Sequence, residues 1–223
     1  MAYPTVNAPY GLKPINLIGG QVFAGSTREL PIASNYGTVI NNGDIVRLSG
    51  GTIVKEAGTT TVSATGVVGV FVGVSYTNPS TGQKLFANSY PGSVVASDIV
   101  AYVVDDPDAL FKVAVTGGAT STTITPISGT ILGNNLAISQ PSTNTTISGN
   151  SNIGAYDSGS NTAFTLPLRV VALVEETTDA SGNYSEVIVK WNMPYITLVE
   201  GTPNVVSYNG GHSYLNPSAP SNV

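Results

Sequence analysis

The chain has 223 residues and a net charge of −5. Only 9% of its residues are charged, against the roughly 25% of an ordinary soluble domain. Its eight Lys and Arg are scattered singly, so no basic stripe exists to neutralise phosphates and no nucleic-acid partner is expected. It has no Cys and one His, which removes disulfides, thiolate nucleophiles and Cys- or His-rich metal sites.

The 25 Gly and 14 Pro, with many Ser, Thr and Asn, are the composition of a β-rich, turn-rich structural protein. A surface so sparsely charged resists association poorly, which favours a subunit of an assembly over a free enzyme. The opening MAYPTVNAPYGLKP lacks the charged and apolar regions of a signal peptide. No run approaches the ~18 apolar residues of a membrane-spanning helix, so a soluble chain with no membrane partner is expected.

Residues 1–40 carry Pro4, Pro9, Pro14 and Pro31 with Gly11, Gly19, Gly20 and Gly25 between them. Proline fixes φ and keeps the preceding residue out of the helical region, so this segment reads as an extended arm. Its apolar side chains want a surface to lie on. That surface is either the chain's own domain, with the arm as a strap, or a partner on which it docks. Gly20, Gly25, Ser26 and Thr27 come near the G-x-x-x-x-G-K-[ST] phosphate loop, but the Lys is missing and no strong helix follows, so a Gly turn is expected.

Residues 41–116 read as a compact β-barrel core, with β-branched runs between Gly, Pro, Asn and Asp turns at the spacing of a small sandwich or barrel. GDIVRL and GTIVKEA, joined through Ser49, Gly50 and Gly51, form a hairpin. In GVFVGVSY, Gly69 to Tyr76, strict alternation puts Val70, Val72, Val74 and Tyr76 on one face and Phe71, Gly73 and Ser75 on the other. Ser93 to Asp106 is crowded with β-branched residues and favours strand. Asp105, Asp106 and Asp108 form the acidic cluster of the DDPDA turn. Three carboxylates could hold a hard cation, but no EF-hand loop is present and Asp before Pro is ordinary turn chemistry.

Residues 117–165 turn abruptly to Ser, Thr, Gly and Asn, with Asp157 the only charge. Recurring Ile and Leu make this an excursion of short strands, or alternatively a second small β-domain. Residues 166–193 return to regular strands, LPLRVVALVEE and YSEVIVKWN, which look like a hairpin. Val187, Val189 and Trp191 share one face, and Trp191 reads as a core or oligomer-interface anchor rather than a ligand-stacking residue. Residues 194–223 are an extended, Pro- and Gly-bearing C-terminal tail. The sole histidine, His212, lies there between Gly211 and Ser213, a poor mount for the oriented base of a catalytic triad. The sequons at Asn144 and Asn183 would matter only in a secreted eukaryotic protein. No catalytic residue, cofactor or metal is expected.

GDIVRL, the hairpin after it, GVFVGVSYTNPSTGQKLFANSYPG and VASDIVAYVVDDPDALFKVAV together resemble structural proteins of tailed bacteriophages, marine and cyanobacterial phages especially. Their order looks like the β-tulip of lambda-like head decoration proteins, best over Tyr10 to Val115. The resemblance implies a non-enzymatic virion protein. It would bind the major capsid protein on the outer capsid surface, as a homotrimer, and cement the shell. On that reading Tyr3, Pro4, Tyr10, Leu12, Pro14 and Ile15 are the capsid-contact candidates. The rival reading in the same setting is a tail-tube, fibre or receptor-binding protein, and a carbohydrate hydrolase stands behind both.

Overall fold

A computed structural model describes residues 6–62, 66–141, 148–159, 161–163 and 165–192, with the backbone of two further strands at 195–198 and 206–209. The fold is nearly all-β and contains a closed five-stranded barrel. The first strands are β1 (Lys13–Leu17), β2 (Arg28–Pro31), β3 (Ile40–Asn41), β4 (Ile45–Ser49), β5 (Thr52–Lys55) and β6 (Gly69–Thr77). Next come β7 (Lys84–Ala87), β8 (Ser89–Tyr90), β9 (Val100–Val104), β10 (Ala109–Thr116), β11 (Ile127–Ser128) and β12 (Asn135–Ser139). The last are β13 (Gly154–Tyr156), β14 (Leu168–Leu173), β15 (Asn183–Tyr184), β16 (Glu186–Trp191), β17 (Tyr195–Leu198) and β18 (Val206–Asn209). Single 3₁₀ turns at Gly129–Ile131 and Glu175–Thr177 are the only helical pieces among the described residues.

One sheet is open, in the order β2-β9-β6-β4-β5, with β7 added along β6. Its β4–β5 hairpin turns through Gly50 at φ 57° and Gly51 at φ 79°. A two-residue turn with both centres left-handed matches strand twist, and glycine adopts it without penalty. The expected hairpin is therefore present. The expected facing of β6 is not. Phe71 pairs with Val103 and Gly73 with the next residue back, Tyr102, so Val72 is an extra residue in a bulge. A bulge interrupts the period of two. Phe71, Val74 and Tyr76 therefore share one core, with Val46, Ile53, Tyr90, Ala101 and Val103, while Val70 and Val72 turn to the other side.

That other side meets the barrel. Its ring runs β10-β13-β12-β14-β16 and closes where β16 pairs with β10, Phe111 opposite Val189 and Val113 opposite Val187. Closure leaves no edge within the ring. Phe111, Val113, Leu136, Ile138, Leu168, Val187, Val189 and Trp191 fill it, all at 0% exposure. The Phe111 and Trp191 rings meet at 5.4 Å between centroids and 58° between planes, a tilted aromatic contact. Ile45, Val70 and Val104 of the open sheet belong to the same apolar cluster, so one face of that sheet contributes to the barrel core while its other face keeps a core of its own.

This arrangement departs from the sequence expectation. The barrel was placed within residues 41–116, whereas the ring takes its strands from Ala109 to Trp191, two of them from the Ser/Thr-rich excursion. Two facts hid it. β13 is only three residues long, and it lies parallel to β10, a pairing made across some forty residues that spacing cannot reveal. The C-terminal segment also differs from a plain extended tail: β17 and β18 pair antiparallel, from Tyr195 opposite Asn209 to Leu198 opposite Val206. Within the Gly- and Pro-free run after Ser93, only Val100–Val104 is strand.

Candidate functional site

The arm is a strap on its own domain. β1 pairs with the first half of β10, on the edge whose second half takes β13. Leu12 is fully buried in the barrel core. The Gly11 N–H donates to the Ile153 carbonyl at 2.9 Å and the Leu12 N–H to the Gly43 carbonyl at 3.0 Å. A Cβ at Gly11 would sit 2.7 Å from that Gly43 oxygen, at a φ of +81°, so only glycine lets the arm pass this close. Of the capsid-contact candidates, Leu12 is thus internal, and Tyr10, Pro14 and Ile15 are half-buried against the barrel. The burial of Leu12, the β1–β10 ladder and the Tyr10–Glu186 hydrogen bond hold this stretch on its own barrel, where partner docking was expected. Tyr3 and Pro4 lie outside the described residues, as do Asn144 and His212.

Tyr10 donates its hydroxyl to the Glu186 carboxylate. Burial, then that hydrogen bond and the Glu186 charge, push the phenol well above its ordinary ionisation range. Lys112 completes the group, its Nζ 3.4 Å from Glu186 Oε1 and 5.8 Å from the centre of the Tyr10 ring. The cluster pins the arm to β10 and β16.

A second buried carboxylate ties the sheets together. Asp44 is fully buried and accepts from the Asn41 N–H at 2.8 Å, from Lys55 Nζ at 2.9 Å and from Ser151 Oγ at 2.6 Å. Nearby, Lys13 Nζ donates to Asn42 Oδ1 at 2.6 Å, and burial lowers its pKa. Both carboxylates spend their lone pairs on fixed protein donors, the pattern of an internal tie. Sequence reasoning passed over this role for Asp44. The signal was a Gly-Asp pair ahead of a β-branched run, with Gly43 at φ 96°.

The DDPDA aspartates are spoken for differently. Asp105 pairs with Arg28 at 2.6 Å, and Asp106 Oδ1 accepts the Asp108 N–H at 2.8 Å as an ordinary Asx turn. Among the described residues no group of three or more His, Cys, Asp or Glu is placed to hold a metal ion. At the near-miss phosphate loop, the strand β2 rather than a helix follows Thr27, so no helix N-terminus faces Gly20 to Gly25. Trp191 is a core residue of the barrel, the first of the two roles its position suggested.

Two surface features remain. Among the described residues β7 pairs with β6 along one side only, and its Phe86 is 73% exposed. At the same end of β6, Val95 is also exposed beside Asp98. The Asp98 carboxyl is held well below its usual range by Lys84 at 2.9 Å, then by the Thr77 N–H and hydroxyl. The other feature is a cleft of about 300 Å³ at one mouth of the barrel, lined among others by Thr125, Pro126, Ile127, Thr130, Asp157 and Asn161. Comparison of the chain with protein-family models, curated proteins and solved structures found no match.

Proposed function

We propose that this chain is a non-enzymatic structural protein of a tailed-phage virion. It binds the outer capsid surface through the major capsid protein, as a homotrimer, and cements the shell. The resemblance of GDIVRL, GVFVGVSYTNPSTGQKLFANSYPG and VASDIVAYVVDDPDALFKVAV to head decoration proteins suggests the setting. The observation that carries the contact role is the edge of β7, open among the described residues, with Phe86 exposed on it, in a chain of which 9% is charged. An unpaired edge offers main-chain hydrogen bonds, and a projecting aromatic fills a pocket on the partner. Because Leu12 and β1 are committed to the barrel, this edge replaces the arm as the docking element.

Quantitative mass spectrometry of purified particles from a phage encoding the chain tests the proposal. A copy number comparable with the major capsid protein is expected, with trimers in sedimentation of the isolated protein. A few copies per particle would instead fit a tail or fibre component, and absence from particles would end the structural reading.

A further inference from the structure

Strands β10 and β13 leave the barrel side by side at Thr116 and Tyr156 and then part, one chain running to Gly117 and the other to Asp157. The 300 Å³ cleft opens between the two exits. Its size is at the lower end of the roughly 300–1,000 Å³ of small-molecule sites, and barrel mouths are a recurrent place for them. Its walls are held by short bonds: the Thr125 N–H to the Val115 carbonyl at 3.0 Å, and the Gly117 N–H to the Thr123 carbonyl at 3.2 Å.

The lining limits what can enter. Asp157 is the one charged group, its Oδ1 fixed by the Gly159 N–H at 2.7 Å and its Oδ2 by Asn161 Nδ2 at 3.3 Å. Asn161 Oδ1 is buried and has no hydrogen-bond partner among the described residues. Thr125, Ser128 and Thr130 bring hydroxyls to the lining, those of Ser128 and Thr130 3.3 Å apart, and Pro126 and Ile127 add apolar surface. An anion would meet the Asp157 charge with no cation to offset it. A wholly apolar ligand would cover the Asp157 carboxylate without donating to it, which is unfavourable for a charged group. A hard divalent cation would find a single carboxylate where such ions take six to eight oxygens, several of them carboxylate. A neutral ring bearing several hydroxyls and an apolar C–H face satisfies both sides at once.

We propose that this cleft binds a neutral sugar, whose hydroxyls donate to Asp157 and accept from the threonine and serine hydroxyls while its C–H face lies on Pro126 and Ile127. The site is independent of how the chain meets a virion.

The test is titration of the isotope-labelled full chain with glucose, galactose and mannose by amide NMR. At least one hexose should give saturable shifts confined to residues 115–131 and 157–161. Asp157→Asn keeps the acceptor for the Gly159 N–H but removes the charge, and should weaken binding about tenfold or more, since hydrogen bonds to charged groups are the strong ones. Thr130→Val should weaken it by a smaller factor, with thermal unfolding of both variants unchanged. No saturable shift with any of the three sugars, shifts elsewhere on the surface, or equal affinity in Asp157→Asn would overturn the proposal. So would calcium ions alone saturating the same amides while the sugars do not.

Discussion

The open sheet and the closed barrel are built from similar residues but are drawn from the chain in opposite ways. Every strand of the sheet lies between Arg28 and Val104, and two of its pairings, β4 with β5 and β6 with β7, join consecutive strands. The barrel pairs Phe111 with Val189 and Val115 with Ala155, and takes β1 from the far end of the chain along β10. Closing such long loops is entropically unfavourable until the non-local contacts form, so the barrel depends on many segments arriving together. It nonetheless shares its core with one face of the sheet through Ile45, Val70 and Val104. The contrast teaches that the part of this protein most local in sequence is not the part that closes it.

Removing residues 2–17 breaks the comparison most severely. It deletes Leu12 from the barrel core and β1 from β10, and leaves the carbonyls of Gly43 and Ile153 without their donors. Losing one buried leucine side chain alone costs about 2–5 kcal/mol, against a total stability of about 5–15 kcal/mol for a typical domain. The truncated chain is expected to lose its cooperative thermal transition by circular dichroism. A transition at the full-length temperature would show that the arm is not a strap.

Matched core truncations sharpen the question of whether the two halves are one unit. Phe111→Ala in the barrel and Phe71→Ala in the sheet each empty a fully buried site and keep the single tryptophan as a probe, with an expected loss of about 3–5 kcal/mol. Because β4, β6 and β9 place residues in both clusters, both variants should shift a single denaturant transition followed by Trp191 fluorescence and by far-ultraviolet circular dichroism alike. Two separated transitions, with Phe71→Ala moving only the one invisible to Trp191, would mean that sheet and barrel unfold independently.

What could be read from the sequence follows the same division. The all-β class, the β4–β5 hairpin and the shared inward face of Val187, Val189 and Trp191 were legible because turn chemistry and the period of two are local signals. The facing of β6 was misread at Val72, since GVFVGVSY is apolar on both faces and a bulge leaves no mark in such a run. The barrel ring was missed because Gly154–Tyr156 is too short and too polar in its flanks to announce a strand. The buried tie at Asp44 depends on Lys55 and Ser151 meeting it, and Ser151 is more than a hundred residues away. The cleft is likewise made by two exits that adjoin only after β10 and β13 pair.

The smallest expected effect, and the most specific, is on the Tyr10 pin between arm and barrel. Tyr10→Phe removes the hydrogen bond to Glu186 and leaves that buried carboxylate with Lys112 as its remaining side-chain partner in the cluster. A hydrogen bond to a charged group contributes about 1.5–3 kcal/mol, so the variant should be less stable than the parent by about that amount at neutral pH. Its pH dependence follows from the raised ionisation of Tyr10. The unfolded phenol loses its proton near its ordinary value of 10.0, whereas the folded one keeps it, so above that pH the folded state binds the extra proton. The contribution of Tyr10 is therefore fully present below about pH 10 and declines as pH rises further. The stability gap between parent and Tyr10→Phe, measured by urea denaturation, should be constant from neutral pH to about pH 9 and narrow beyond about pH 10. A gap that stays constant up to about pH 11 would place the phenol in water rather than against Glu186, and the arm would then be held by Leu12 and the β1 ladder alone.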